Sequence, residues 1–324
     1  MATFTTPLTL QEANRAGELS QVDAALIETF LPSKTQRPDQ MANFFNVFPW
    51  LDMAGVLSYQ YTRELGLPTV TPRALNETIT RSVGSTEQVK EALKIYSHEF
   101  IVDEVLLRTS AGAAARATQA SMAAKAVLQT IQNHIFKGDE SSSANQLTGL
   151  QARITGDQLV SEGSTSGGDP LQISNLRDSI DRCYGDGPKV IVCGKGLARR
   201  LDAAVGLAGV GAAIRSEQTA WGMKAQTFDG VPIIPVADFS GGDTILDFSE
   251  AGAGGGTTAT SLYVLCLGNS DVHGLRSGDM WGGDVKSSSE PGDVSRVTFQ
   301  PGLAIKRATS AVRHYGISDA AVIA

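Results

Sequence analysis

The chain has 324 residues, 42% of them hydrophobic and 19% charged, with a formal net charge of −7. That length suits two or three domains and the balance is globular, which excludes a disordered or fibrous chain. A net acidic chain without a dense basic run excludes a dedicated DNA-binding domain, since each neutralised phosphate uses one Lys or Arg; it does not exclude a container.

The 34 glycines cluster rather than repeat, which predicts many turns and loops. Cys183, Cys193 and Cys266 are few and set in apolar or turn sequence. They read as small buried hydrophobes in a reducing cytoplasm. Met1–Arg15 lacks the basic and apolar regions of a signal peptide. The densest apolar run, Leu262–Leu267, is far shorter than the ~20 residues of a membrane span.

Residues 1–40 read as a polar arm, with Val22, Leu26, Ile27 and Phe30 helix-spaced before Pro32 and Pro38. Phe44, Phe45, Phe48 and Trp50 then read as core anchors. Residues 55–63 alternate, with Val56, Ser58, Gln60 and Thr62 opposed to Leu57, Tyr59, Tyr61 and Arg63. Residues 94–104 alternate again, around Tyr96, His98, Phe100 and Val102. Both stretches have strand period, and the stretch between them is turn-rich. Paired together they predict a two-stranded ribbon. Such a ribbon is marginal in water and needs a surface to lie on, in its own chain or a neighbour.

Residues 111–137 carry the strongest element. The segment has no Pro, is rich in Ala, and follows Ser110 as a candidate N-cap. Ala120, Ala124, Val127, Leu128, Ile131 and Ile135 form one apolar stripe, while Arg116, Gln119, Lys125, Gln129 and Gln132 lie away from it. At 1.5 Å per residue the helix spans about 40 Å. Gly138 ends it, with Lys137 favourable against the dipole.

Asp169-Pro170 is expected to open a helix carrying Leu176, Ile180 and Cys183 on one face. Lys189–Cys193 reads as a short strand buried on both faces, followed by a helix from Leu197 to about Ala204. Asp229-Gly230 predicts a hairpin between 226–228 and 231–234. The Gly-rich segment 238–260 suits a flexible exposed loop. Ser261–Leu267, Val294–Gln300 and Leu303–Tyr315 are further strand candidates.

Motifs for chemistry are missing. There is no G-x-x-x-x-G-K-[ST] loop and no G-x-G-x-x-G after a strand. Gly163-Ser164-Thr165-Ser166-Gly167 has Thr where a nucleophile elbow needs its nucleophile, and it lies in a polar loop. His98, His134, His273 and His314 form no H-E-x-x-H pair, and the spacing of Asp271, Asp279 and Asp284 is not that of a calcium loop. No cofactor, metal or catalytic set is assigned. A triad built from distant residues would leave no local mark.

The order of these elements resembles the tailed-bacteriophage major capsid family, whose fold is shared with encapsulin shells. Phe136-Lys137-Gly138-Asp139 followed by Leu147-Thr148-Gly149-Leu150 is similar to that family's aromatic-x-Gly-Asp and Gly-Leu turns. Thr227-Phe228-Asp229-Gly230-Val231-Pro232-Ile233-Ile234 is similar to its F-x-G-x-P-[IV] strand pair. Gly302-Leu303-Ala304-Ile305 and Ala311–Gly316 resemble its closing strands. The resemblance covers roughly residues 40–317.

The resemblance implies an α+β chain: an N-terminal arm (1–40), an extended β-ribbon loop with a peripheral domain and spine helix (41–170), an axial mixed-sheet domain (171–292), and return strands to the peripheral domain (293–324). It implies a structural subunit, not an enzyme, assembling into hexamers and pentamers of an icosahedral shell around double-stranded DNA without sequence-specific binding. Tyr59, Tyr61, Arg63, Arg73, Arg81 and Lys94 are the expected inter-subunit residues of the extended loop. With no ~100-residue region before the aromatic segment, a separate scaffolding protein is expected, together with a portal and a decoration protein. The place is a virion capsid assembled in the host cytoplasm. Some relatives crosslink a Lys to an Asn; nothing marks Lys90 or Lys94 as reactive. An encapsulin-like compartment and an α/β enzyme with a dispersed site stay open as alternatives.

Overall fold

The computed structural model describes residues 44–53, 55–109, 112–206, 214–218, 224–237, 245–285 and 292–323. The arm at 1–40 and the Ser110 cap lie outside them. In chain order the elements are α1 (Phe44–Val47), β1 (Trp50–Asp52), β2 (Ser58–Gly66), β3 (Ser85–Ala92), β4 (Tyr96–Asp103), α2 (Glu104–Leu107), α3 (Gly112–Lys137) and α4 (Leu150–Arg153). Then come β5 (Leu159–Ser161), α5 (Ile173–Arg182), β6 (Lys189–Gly194), α6 (Lys195–Ala203), β7 (Ile214–Gln218), β8 (Lys224–Phe228) and β9 (Val231–Val236). The last are β10 (Ala259–Cys266), β11 (Val272–Arg276), β12 (Trp281–Val285), β13 (Gly292–Phe299), β14 (Pro301–Ile305) and β15 (Ala311–Ser318).

A mixed seven-stranded sheet, ordered β5-β15-β10-β6-β9-β8-β7, divides two cores. The side-chain alternation of its central strands explains why they read as continuously apolar. Val190, Val192, Tyr263 and Leu265 face one core; Ile191, Cys193, Leu262, Val264 and Cys266 face the other. The second core is closed by α5 and α6 through Ile173, Leu176, Leu197 and Leu201. The β8–β9 hairpin turns as expected, with Asp229 (φ 46°) and Gly230 (φ 83°) both left-handed, the geometry of a type I′ turn.

The first core is closed by α3. Its stripe of Ala120, Ala124, Val127, Ile131 and Ile135 is buried, and Leu128 packs beside it. The helix lies against the sheet β12-β13-β4. Gln132, expected away from the stripe, is buried, and Arg116 reaches β12 and β13 through Asp284 and Ser295. The aromatic anchors join the layers: Phe44 lies 5.1 Å from Phe136, and Phe136 5.4 Å from Tyr263, ring centre to ring centre.

Gly138 ends α3 for a reason other than a left-handed turn. A Cβ there would fall 2.2 Å from the Leu147 carbonyl oxygen, and one at Gly149 would fall 2.6 Å from that of His134. The two glycines let the Gly-Asp and Gly-Leu turns touch backbone to backbone, sealed by Gly149 N–H donating to Gly138 O at 2.8 Å.

Several expectations need correction. The alternating segment at 94–104 does not pair with 55–63. β4 pairs with β13 from Tyr96↔Phe299 to Asp103↔Gly292, while β2 pairs with β3, a strand inside the stretch read as turns. Asp169 caps no helix: α5 starts at Ile173, and the Asp169 carboxylate accepts from Thr165 N instead. The segment read as one strand over 303–315 is two, β14 and β15, separated by a 3₁₀ turn at Ala308–Ser310. β15 enters the seven-stranded sheet and not the spine-helix layer, which among 293–324 receives β13. Of the loop expected at 238–260, residues 238–244 lie outside the described ones; Ile245 and Leu246 are buried and Glu250 bridges to Ala259, while Ala253, Gly254, Gly255, Thr257 and Thr258 between them are exposed as expected.

Candidate assembly surface

The ribbon β2–β3 has a rooted base and an uncovered outer part. At the base, Tyr61 is buried and its hydroxyl donates to Ile305 O at 2.9 Å. The Arg63 guanidinium donates to the same carbonyl at 2.7 Å and to the Tyr61 hydroxyl oxygen at 3.2 Å. Glu91 receives both arms of Arg153, at 2.6 and 2.7 Å, a bidentate pair that couples the ribbon to α4. Burial and the nearby Glu91 carboxylate push the Tyr61 phenol up. Tyr59 packs 5.6 Å from Tyr61 and edge-on to His273 at 6.0 Å, with Lys306 Nζ 5.5 Å from its ring centre. Leu93 N–H donating to Leu57 O and Lys94 N–H to Pro301 O complete the root.

Beyond Gly66 the chain leaves the molecule and returns at Ser85. Leu67, Val70, Leu75 and Val83 are 85%, 87%, 94% and 92% exposed, and Leu65 and Ile79 are also open. The excursion has its own local bonds. Arg73 donates to Glu77 O at 3.0 Å, Ala74 N–H to the Glu77 carboxylate at 2.7 Å, and Ser82 to Thr69 O at 2.7 Å. Asn76 turns it with φ of 65°. A two-stranded ribbon carrying an exposed apolar series is unusual for an isolated chain.

The six expected loop residues therefore separate. Arg73 and Arg81 are on the exposed excursion. Tyr59, Tyr61 and Arg63 are on the ribbon but turned onto their own chain. Lys94 is not on the ribbon: its amine binds Glu140 and Ala144 O, at 2.8 and 2.7 Å, beside the turn after α3. Sequence reasoning misses these exposed apolar residues, because the Gly and Pro of the segment signal turns and nothing local signals exposure. An open cleft of about 450 Å³ runs under the ribbon base, lined by charged groups including Lys90, Glu87, Glu140 and Arg153. That lining differs from the apolar one usual for small-molecule sites.

The fold does assemble one constellation from distant residues. Ser179 Oγ lies 3.1 Å from His314 Nδ1, and His314 Nε2 lies 2.5 Å from Glu162 Oε2. All three are buried. The Ser179 hydroxyl lies 2.9 Å from the Asn175 carbonyl, and the other Glu162 oxygen accepts from Gln172 N and Asn175 Nδ2 at the start of α5. Sealed from solvent and bonded to its own helix, the set clamps α5 to β15. Among the described residues no group of three His, Cys, Asp or Glu side chains could hold a metal ion, and no helix is long and apolar enough to cross a membrane.

The family model described as major capsid protein GP7 matches residues 39–168, the stretch holding the aromatic anchors, the ribbon, the spine helix and its closing turns. The capsid of the native GTA particle superposes with a TM-score of 0.63 over 88% of this chain and 94% of that one, at 10% identity. The fold is that of phage capsid shells. The same major capsid fold is shared by the encapsulin of the holo-SrpI complex from Synechococcus elongatus PCC 7942, at a TM-score of 0.57 and 13% identity over 91% and 93% of the two chains. A chain from Mycobacterium phage Bobi gives 0.54 and 14% identity over 82% and 87%. Among curated proteins no sequence matches. The resemblance read from the sequence thus holds for the segment 39–168 and for the fold.

Proposed function

We propose that the chain is the major capsid protein of a tailed phage, assembling as hexamers and pentamers into an icosahedral shell around double-stranded DNA. The observation that carries this reading is the ribbon excursion, apolar and uncovered, within the segment that matches the major capsid family. Burying each exposed Leu, Val or Ile on a neighbour would contribute roughly 1.5–3 kcal/mol before ordering costs. Repeated around a closed ring of heterologous contacts, such modest increments suffice for a shell. In this reading the spine-helix layer is the peripheral domain, and the seven-stranded sheet with α5 and α6 is the axial domain. The Gly-rich turn near 251–257 borders the capsomer axis. The acidic chain encloses DNA by geometry, and scaffolding, portal and decoration proteins act with it during assembly in the host cytoplasm.

The shared encapsulin fold supports a second reading, a compartment that encloses protein cargo. Electron microscopy and light scattering of the purified full chain, with nuclease protection of the contents, separate the two. Closed particles with protected DNA from infected cells support the phage shell. Closed particles with protein cargo and no DNA support the compartment. Monomers at every concentration and in every extract would sink both and favour an enzyme.

A further inference from the structure

Cys183 is the residue that follows the last turn of α5, and Cys266 is the last residue of β10. Though 83 positions apart in sequence, their sulfurs lie 3.3 Å from each other in the second core, both shut off from solvent. The approach is built into the backbone. Gly185 follows Cys183 by two residues, and a Cβ there would fall 2.7 Å from that of Cys266. Lys189 pairs with Cys266 across the sheet, and its amine donates to Ile180 O at 2.8 Å, holding the end of α5 against the end of β10.

The third cysteine is placed apart. Cys193 lies on β6 four residues beyond Lys189, about 13 Å along the strand at 3.3 Å per residue.

We propose that Cys183 and Cys266 are a dithiol site that a peroxide converts to an intrachain disulfide, tying α5 covalently to the central sheet. The inference is independent of the shell reading. The two thiols are unequal. The hydrogen bond shared between the two sulfurs pushes the Cys266 thiol down, with Lys189 and Arg307 adding to this against burial and Asp271. The same hydrogen bond and burial push Cys183 up. Cys266 is therefore the first nucleophile. Its thiolate attacks a peroxide oxygen, the O–O bond breaks, hydroxide leaves, and a sulfenic acid forms. Cys183 then gives up its proton as its sulfur attacks that of Cys266. The S–O bond breaks and the oxygen leaves as water. Two thiols and one hydrogen peroxide become one disulfide and two waters. The sulfurs must close by about 1 Å to reach the roughly 2.05 Å of an S–S bond. Burial makes the first step slow, while the adjacent Cys183 intercepts the sulfenic acid before further oxidation.

The test uses the full chain, purified in reductant, treated with hydrogen peroxide, quenched with catalase, then denatured and alkylated. Two of the three cysteines should resist alkylation, with one disulfide peptide joining 183 to 266 and Cys193 alkylated. Dithiothreitol should restore all three, and the oxidised chain should melt at a higher temperature. Cys193→Ser should keep the loss of two thiols, while Cys183→Ser should abolish it and leave Cys266 as a sulfenic or higher acid. Should Cys183→Ser not fold, Cys266→Ala and the wild-type peptide map serve in its place. Alkylation of all three cysteines after peroxide, a bridge that includes Cys193, or mass gains of oxygen in place of a bridge would overturn the proposal.

Discussion

β10 and β2 are strands of similar length with opposite surroundings. Every residue of β10 is buried, with β15 and β6 on its edges and a core on each face. β2 has one partner, and its outer residues stand in solvent. Hydrophobic burial and sheet bonding from the same chain account for β10 completely. They account for only the root of β2, where Tyr61, Arg63 and the Glu91–Arg153 pair tie it down. Beyond Gly66 the excursion has only its own local bonds and no core face, and on the proposed reading that difference divides the molecule into a part that folds and a part that assembles.

The largest expected effect tests that division directly. Replacing residues 68–82 by a two-residue turn should leave the melting temperature of the isolated subunit nearly unchanged and abolish particles in electron micrographs. Normal shells from the deletion would end the assembly role of the ribbon; an unfolded subunit would show that the excursion belongs to the core. Next in size is Arg153→Met. It leaves the buried Glu91 carboxylate at the ribbon root without its bidentate partner, and losing one partner of such a pair costs about 3 kcal/mol. Hydrogen exchange should show lost protection at Tyr61 and Leu93 while β10 keeps its own. Equal loss in both would mean that ribbon and core form one cooperative unit. Gly138→Ala should follow at about 2 kcal/mol, read by denaturant unfolding, because a methyl against the Leu147 carbonyl forces the two turns apart. Wild-type stability in this variant would remove the close approach as the reason for that glycine.

The same contrast explains what could be read from the sequence. The core half was legible because its signals are local. The α3 stripe, the doubly buried β6 and β10, and the Asp229-Gly230 turn each carry their geometry in consecutive residues. The ribbon was legible only in part. β3 reads Ser-Thr-Glu-Gln-Val-Lys-Glu-Ala, and its buried position is Glu91, sealed by an arginine 62 residues away rather than by an apolar pattern. Alternation identified β4 as a strand but could not name its partner, since β13 arrives nearly 200 residues later. Lys94 was grouped with the ribbon by proximity in sequence, yet its amine is held by Glu140. Ser179, His314 and Glu162 meet through three separate elements, so no spacing could have announced them.

The smallest effect lies where the spine helix meets its closing turn. Half-buried His134 holds the Tyr96 hydroxyl at 2.8 Å from Nδ1, and that hydroxyl oxygen accepts from Leu147 N–H at 3.2 Å. Tyr96 can donate to His134 only while Nδ1 is unprotonated. Burial holds the His134 pKa below its usual 6.5. The unfolded chain therefore takes up the proton first as pH falls, and stability drops from about pH 6.5 until the lower, folded pKa is passed. His273 adds to the slope with the same sign, because burial and Lys306 keep its ring neutral under Tyr59. Melting temperature should fall gently between pH 7 and pH 5, and His134→Gln should flatten only part of that fall. A slope unchanged in the variant would remove His134 as a source of the acid sensitivity and leave His273, buried beneath the ribbon root, as the group to replace next.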